Sequence, residues 1–189
     1  MVSAREMGWA LLGLVALERG VELALSARNA RRILRRGGVE AGRGHYPAMV
    51  AFHAAFLVAC AAEPLAWPSD WPAAATAAGG VAVVLAQGLR WWAVGTLGDR
   101  WSTRIVVLPG AAPVVRGPYR WLRHPNYLAV AIELLALPLA LGAWRTALLA
   151  SAGNALLLAV RIPAEERALG AGWAAAFAGR PRLRPGRRA

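Results

Sequence analysis

Residues 116–127 read RGPYRWLRHPNY and lie between two long apolar regions of the chain. Gly117 and Pro118 form a breaker pair, and the proline after His124 keeps the backbone of that histidine out of the helical region. The residues between these breaks are therefore predicted to form a short helical or turn segment. On composition, the stretch suits a membrane-interface belt, in which Trp and Tyr lie at headgroup depth and Arg lies on the cytoplasmic side.

The same residue types also suit a site for a small charged ligand. Arginine offers a fixed fork of donors to a carboxylate or phosphate, and aromatic faces attract a cation or stack on a purine. Histidine donates or accepts a hydrogen bond near neutral pH. A ligand with anionic and cationic or aromatic parts would find partners here, so the residues alone leave both interpretations open.

The composition combines high apolarity with high basicity. The chain has 189 residues, of which 58% are hydrophobic, and a formal net charge of +12. This combination is typical of a small integral membrane protein with arginine-rich cytoplasmic loops. The arginines fall between apolar segments rather than along one soluble face, which argues against a nucleic-acid partner. The single cysteine, Cys60, is expected to pack in the apolar interior, and no metal site is expected.

The apolar segments predict an all-α integral membrane protein with about five transmembrane helices. A helix rises about 1.5 Å per residue, so about 20 apolar residues cross a bilayer core of about 30 Å. The segments long enough to do so are residues 7–27, 47–66 and 73–95.

The last two apolar segments are shorter. Residues 125–141 and 146–160 are predicted to form a C-terminal helical hairpin, which either crosses the membrane fully or re-enters it. Pro163 predicts a kink, followed by a cytoplasmic surface helix over residues 163–178.

The arginine-rich loops predict the orientation in a bacterial cytoplasmic membrane. Residues 28–45 form a predicted loop with six arginines, and residues 98–123 contain five more, so both segments are placed in the cytoplasm. The N-terminus is then outside and the C-terminus inside. We expect one membrane domain over residues 1–189, with a three-helix part at 1–96 and a basic, flexible tail at 180–189 that is attracted to anionic membrane lipid.

Polar residues recur along the first predicted helix. Glu18, Glu22, Ser26 and Asn29 advance by four, four and three residues and therefore share one helical face. Charge at membrane depth costs several kcal/mol, so this face should meet a partner or a wet cavity, with Arg19 as the nearest counter-ion. It serves either as polar contacts between helices or as the lining of an acceptor cavity.

Two motifs, GPYRWLRHPNY at residues 117–127 and RIPAEERAL at residues 161–169, resemble the paired motif of the isoprenylcysteine carboxyl methyltransferase (ICMT) family of membrane enzymes. Upstream, ERGVELALSARN (18–29) and LGDRWSTRIVVLPG (97–110) resemble the bacterial branch, whose genes are often linked to type III polyketide synthases making phenolic lipids and alkylpyrones. The resemblance implies an S-adenosylmethionine-dependent O-methyltransferase, with a donor-binding core at residues 97–179.

The resemblance also implies roles for individual residues. Arg161 would face the methyl acceptor and Glu165 would contact the donor, which makes both candidate catalytic residues. Taken alone, these two residues four apart would form a helix-face ion pair. The position of Ala111 holds a histidine in some relatives. The implied donor-binding residues are Ala111, Ala112, Pro113, Val114, Tyr119, His124, Pro125, Asn126, Tyr127 and Glu165.

The expected acceptor is a lipophilic small molecule or prenylated group. It is either a phenolic or pyrone hydroxyl of a polyketide lipid or a prenyl-cysteine-like carboxylate. A carboxylate attacks as it stands, whereas a phenol with a pKa near 10 gains from a positioned base. Candidate acceptor-binding residues are Arg161 and three groups inside apolar helices, Glu22, His53 and Glu133. His53 could instead be a packing residue, and Glu133 could instead pair with an arginine.

Two other functions are considered. Some membrane sterol reductases that use NADPH resemble the C-terminal half of this family, and Arg120 and Arg123 could hold the 2′-phosphate of that cofactor. Alternatively, the chain is a non-enzymatic scaffold that binds anionic lipid through arginines at residues 31–36. The sequence predicts no oligomeric state.

Overall fold

The computed structural model describes residues 4–183, which are mostly helical. The α-helices within this part are α1 (Ala4–Arg35), α2 (Tyr46–Ala66), α3 (Ala73–Leu97), α4 (Pro125–Leu139) and α5 (Trp144–Ala176). Short 3-10 turns cover Arg43–His45, Gly98–Arg100 and Gly117–Arg120, and two strands, β1 (Val39–Ala41) and β2 (Ile105–Val107), lie in the connections. The predicted turn within residues 116–127 is thus present.

Within residues 4–183, three segments are long and apolar enough to cross a membrane, namely Arg43–Ala66, Ala73–Arg100 and Trp144–Ala176. The chain is therefore a helical membrane protein, as predicted. Helix α1 carries several charged residues, and α4 has only 15 residues. The count of five spans depends on these two helices and stays a prediction.

Helix α1 extends further than predicted, through the first part of the supposed loop at residues 28–45. The Asn29 amide donates hydrogen bonds to the carbonyl oxygens of Trp101 at 2.9 Å and Gly98 at 3.2 Å. Ile33, one turn later, is buried against Val106. Tertiary contacts thus continue the helix where the string of arginines predicted a loop.

Helix α5 also differs from its prediction. It continues through Pro163, and its non-helical residue is Gly170, with φ 79° and ψ −175°. A glycine reaches positive φ without a steric penalty. Leu158 and Ile162 are buried just before the proline, and this packing holds the helix there. The prediction that a new helix begins at Pro163 is therefore wrong, and the surface location of the last segment stays a prediction.

The two strands were not predicted. They pair antiparallel, with Val39 opposite Val107 and Ala41 opposite Ile105. Glu40, between them, accepts hydrogen bonds from Arg104 Nε at 2.6 Å and Arg43 Nε at 2.9 Å. This small sheet joins the connection after α1 to the connection after α3.

The helices pack closely at the end of α4. A Cβ atom added to Gly79 of α3 would lie 2.8 Å from the Ala140 nitrogen and 2.9 Å from the Ala136 carbonyl oxygen, so glycine permits this approach. Cys60 is buried in the apolar core between the helices, as predicted. The start of α5 is fixed by Glu63 of α2, whose carboxylate accepts the Thr146 N–H at 2.7 Å. Arg161 and Glu165 lie in the distant half of the same helix.

Candidate functional site

A cavity of about 710 Å³ is lined by residues of all five helices and of both strands. Its volume lies within the range of about 300–1,000 Å³ found for small-molecule sites. Most of the predicted site residues, although far apart in the chain, contribute to its lining. They are Glu22, His53, Ala111, Ala112, Pro113, Val114, Tyr119, His124, Asn126, Tyr127, Arg161 and Glu165.

Two predicted residues do not line this cavity. Pro125 is the first residue of α4 and is buried. Glu133 is also buried and lies 3.4 Å from Arg19, measured from Oε2 to Nη2. The alternative interpretation of Glu133, pairing with an arginine, therefore describes its position.

The stretch at residues 116–127 has two faces. Arg120 and Trp121 are exposed, with the guanidinium over the indole ring and Trp121 against Trp92 at 5.7 Å between centroids. Tyr119 and His124 are buried and line the cavity. The outward face therefore has the composition of a membrane-interface belt, whereas the inward face belongs to the cavity.

Tyr127 connects the two motifs. Its hydroxyl donates a hydrogen bond to Glu165 Oε2 and accepts one from Arg161 Nε at 2.7 Å. No ion pair joins Arg161 directly to Glu165 in the described part of the chain, so the simple helix-face pair is not what forms. A guanidinium, a phenol and a carboxylate are instead arranged in series on the cavity wall.

His124 lies beside this series. Its ring stacks on Tyr127, with centroids 5.3 Å apart, and its Nδ1 is 4.0 Å from Glu165 Oε2. The other ring nitrogen, Nε2, is 3.2 Å from Glu166 Oε1. Glu166 was not predicted, although it directly follows Glu165 in the sequence.

An aromatic group lies beside His124 and also lines the cavity. Tyr119, Trp173 and Phe177 form one buried cluster, and the last two rings stack with centroids 4.6 Å apart. Burial raises the pKa of Tyr119, so this residue remains a neutral phenol. Trp173 and Phe177 were not predicted, and their spacing of four residues on an apolar segment was the available signal.

The segment at residues 111–114 contributes mainly backbone, as expected. The Ala112 carbonyl oxygen accepts a hydrogen bond from Arg100 Nη1 at 2.5 Å, and the Ala111 N–H closes a turn onto the Leu108 carbonyl at 3.2 Å. An alanine at position 111 offers no side-chain donor, so any contact there comes from the peptide groups.

Thr103 joins three helices at the cavity wall and was also not predicted. Its hydroxyl is 2.8 Å from Ser26 Oγ and 3.0 Å from the Tyr46 hydroxyl. Its carbonyl oxygen accepts a hydrogen bond from Arg161 Nη2. With two of its three guanidinium nitrogens thus engaged, Arg161 retains a buried Nη1 that has no hydrogen-bond partner among the described residues.

Four polar residues of α1, α2 and α3, which we call the α1–α3 polar group, also line the cavity, namely Arg19, Glu22, His53 and Arg90. Arg90 contacts both carboxylate oxygens of Glu22, with Nη2 at 2.6 Å from Oε2, and Arg19 Nη1 is 2.8 Å from Oε2. Arg19, the predicted nearest counter-ion, does contact Glu22, but Arg90 of α3 lies closer and engages both carboxylate oxygens. Arg90 Nη1 is buried and unpartnered among the described residues.

His53 has a defined hydrogen-bonding role on one side of its ring. Its Nδ1 is 2.8 Å from the Met49 carbonyl oxygen, which can only accept. Nδ1 therefore donates, and the neutral ring leaves Nε2 as an acceptor. This arrangement fits both a packing residue and a residue that contacts an acceptor in the cavity.

Comparison with known proteins identifies the family of this chain. The model of the isoprenylcysteine carboxyl methyltransferase (ICMT) family matches residues 78–171, which include both motifs. The uncharacterized protein YpbQ of Bacillus subtilis is 40% identical over 167 residues, covering 86% of this chain and 96% of that protein. An uncharacterized protein of Haemophilus influenzae is 29% identical over 153 residues, covering 80% of this chain and 88% of that protein.

Proposed function

Because the chain belongs to the isoprenylcysteine carboxyl methyltransferase family of membrane enzymes, we propose that it transfers a methyl group from S-adenosylmethionine to an oxygen atom of a lipophilic acceptor. The observation that carries this proposal is the convergence of both motifs on one cavity wall, where Tyr127 bridges Arg161 and Glu165. The two motifs lie more than thirty residues apart in the chain, and a shared ligand site would explain why their polar groups meet at the cavity.

The residues around His124 fit the parts of the methyl donor. Tyr119, Trp173 and Phe177 offer aromatic surface for adenine. Glu165 offers a carboxylate to ribose hydroxyls or to the ammonium group, and Asn126 has a buried Oδ1 without a hydrogen-bond partner among the described residues. When bound, the donor supplies a methyl group on a sulfonium, which is already a good leaving group. The protein then acts mainly by orienting the two reactants and excluding water.

The rest of the cavity fits an acceptor with an oxygen-bearing head and an apolar body. Arg161 Nη1 and Arg90 Nη1 have no hydrogen-bond partner among the described residues and can donate, and His53 Nε2 can accept. Met49, Leu57 and other apolar side chains also line the cavity. We favour a phenolic or pyrone hydroxyl of a polyketide lipid over a prenylated carboxylate, because the segments at residues 18–29 and 97–110 resemble the bacterial branch of the family.

The two other functions receive less support from the contacts. For a reductase, Arg123 would have to bind a phosphate, but its Nε already donates to the Arg180 carbonyl at 2.6 Å. Arg120 stands over Trp121 on the outward face. The scaffold hypothesis explains the exposed arginines of α1 but leaves the inward series of Arg161, Tyr127 and Glu165 without a role.

We further propose that the protein lies in the bacterial cytoplasmic membrane as one domain. The N-terminus would be outside, and the donor-binding core at residues 97–179 and the basic tail would be on the cytoplasmic side. The tail's residues 184–189 lie outside the part of the chain that the structure describes.

The proposal is tested with the full chain purified in detergent. Calorimetry should detect saturable binding of S-adenosylhomocysteine, and thermal shift should respond to S-adenosylmethionine and not to NADPH. Incubation with labelled S-adenosylmethionine should label an alkylpyrone or alkylphenol more rapidly than a prenylcysteine carboxylate. Stabilisation by NADPH alone, with no S-adenosylhomocysteine binding, would overturn the methyltransferase proposal.

A further inference from the structure

Residues 180–183, which we call the C-terminal strap, lie across the start of the HPNY motif. The backbone N–H of Arg123 donates to the Pro181 carbonyl at 3.0 Å, and the N–H of His124 donates to the Arg182 carbonyl at 3.1 Å. Both N–H groups precede α4, so no helical hydrogen bond would satisfy them. The strap therefore fixes the backbone from which the His124 ring projects.

The strap also reaches the ring itself through a second carboxylate. Arg182 donates from Nε to Glu166 Oε1 at 3.0 Å and from Nη2 to Oε2 at 2.5 Å. Glu166 Oε1 is in turn 3.2 Å from His124 Nε2. Side-chain exposure falls along this series, from 54% at Arg182 to 15% at Glu166 and 5% at His124.

The chemistry of this series sets the hydrogen positions on His124. A carboxylate held by a two-pronged guanidinium only accepts hydrogen bonds, so Nε2 must carry the hydrogen that points to Glu166. When the ring carries this one hydrogen, its lone pair is on Nδ1, on the side of Glu165, and both His124 and Glu165 line the cavity. An Nδ1 lone pair accepts a hydrogen bond from an N–H or O–H group of a ligand.

We propose that Glu166 and Arg182 are positioning residues, which hold His124 so that Nδ1 accepts a hydrogen bond from the amino or ribose hydroxyl group of the methyl donor. This inference rests on the proposed function for the identity of the ligand, but not for the state of the ring. The pair contributes little to stability by itself, because solvent screens the half-exposed guanidinium of Arg182. Its effect is on the geometry and tautomer of a buried side chain.

The state of the ring is tested without any ligand. The chain contains three histidines, so ¹⁵N NMR of imidazole-labelled protein in detergent can be assigned with His45→Gln and His53→Gln variants. His124 should show the Nε2–H tautomer in the unmodified protein. In Glu166→Ala it should show a mixture of the Nε2–H and Nδ1–H tautomers. An unchanged His124 signal in Glu166→Ala would overturn the proposal.

The consequence for the ligand is tested by calorimetry with S-adenosylhomocysteine. Glu166→Ala should weaken binding about tenfold, as expected for a lost hydrogen bond to a charged group. Arg182→Gln should weaken it about two- to fivefold, which corresponds to an exposed pair, and Arg182→Lys should restore part of the loss. The double variant should bind no more weakly than Glu166→Ala, because the two residues act in series.

Arg167→Gln is the matched control. Arg167 is exposed on α5, the helix that carries Glu166. Its substitution removes one positive charge, as Arg182→Gln does, and leaves the groups around His124 unchanged. If the unmodified protein binds and Arg182→Gln behaves like Arg167→Gln, the role of the strap is refuted while the methyltransferase proposal stands. If the unmodified protein does not bind, the methyltransferase proposal fails, and the NMR measurement still decides whether Glu166 controls the His124 ring.

Discussion

Two glutamates on the wall of the same cavity are held in different ways. In the α1–α3 polar group, Glu22 has both carboxylate oxygens engaged by Arg90 and one also by Arg19, and its side chain is 2% exposed. Glu165 accepts a hydrogen bond from the neutral Tyr127, and its side chain is 29% exposed. A carboxylate with both oxygens engaged by guanidiniums stabilises the fold and has little acceptor capacity left for a ligand. A carboxylate that accepts one hydrogen bond from a phenol can still accept others from a ligand.

The surroundings of Glu22 extend this difference. Arg19 also lies 3.4 Å from both Glu18 and Glu133, and Glu18 accepts hydrogen bonds from Gln87 and Trp91. The group therefore links α1, α3 and α4 through three carboxylates and two guanidiniums. Removing one cation should leave negative charge that the apolar interior cannot stabilise.

The largest effect is expected from Arg90→Met. The substitution leaves Glu22, Glu18 and Glu133 with Arg19 as their remaining cation, which should lower the free energy of unfolding by about 3 kcal/mol or more. The measurement is unfolding of the detergent-solubilised protein, monitored by circular dichroism.

The control for Arg90→Met is the double variant with Glu22→Gln. Neutralising Glu22 removes the unpaired charge, so the double variant should recover much of the loss even though it has fewer polar contacts. If both proteins are equally unstable, the arginine acts through packing rather than through charge, and the contrast with Glu165 loses its basis.

Glu165→Gln should have the opposite profile. Glutamine still offers an oxygen to the Tyr127 hydroxyl, so the fold should keep its free energy of unfolding to within about 0.5 kcal/mol. Loss of the charge should weaken S-adenosylhomocysteine binding by about 10- to 100-fold, as expected for about 1.5–3 kcal/mol. Calorimetry checks the affinity and circular dichroism the stability.

Asp70→Asn is the control for this second variant. Asp70 is exposed in the connection between α2 and α3, so its neutralisation changes net charge without affecting the cavity. If Asp70→Asn and Glu165→Gln bound S-adenosylhomocysteine with equal affinity, Glu165 would not contact the donor.

The sequence predicted best the helices whose ends are set by local residues, and it missed the elements that depend on contacts between distant parts of the chain. Helices α2, α3 and α4 begin within a residue of their predicted starts, because apolar runs bounded by Pro and Gly carry that information locally. The strands at Val39–Ala41 and Ile105–Val107 have three residues each and form only by pairing across the molecule, so no local pattern marks them.

The site shows the same division. The residue types of His124, Tyr127, Arg161 and Glu165 were recognisable from the two motifs, and the structure brings these residues together. Trp173 and the C-terminal strap were missed because a break was expected at Pro163 instead of Gly170, which changes where the last residues lie. The sequence left open whether the polar face of α1 forms contacts between helices or lines a cavity. Glu22 does both, because it lines the cavity and pairs with Arg90, a residue 68 positions away.

The smallest effect is expected from an exposed pair on the same helix as Glu22. Arg32 Nη1 is 3.1 Å from Asp99 Oδ1, with side-chain exposures of 47% and 61%. Solvent screens such a pair, so Arg32→Gln should change the free energy of unfolding by about 0.5 kcal/mol or less, and added salt should remove the difference. Arg35→Gln removes the same charge from the last turn of α1 and has no ion pair among the described residues, so subtracting its effect isolates the Arg32–Asp99 contact. If Arg32→Gln lowered the free energy of unfolding as much as Arg90→Met does, burial would not explain which charged contacts of α1 stabilise the fold.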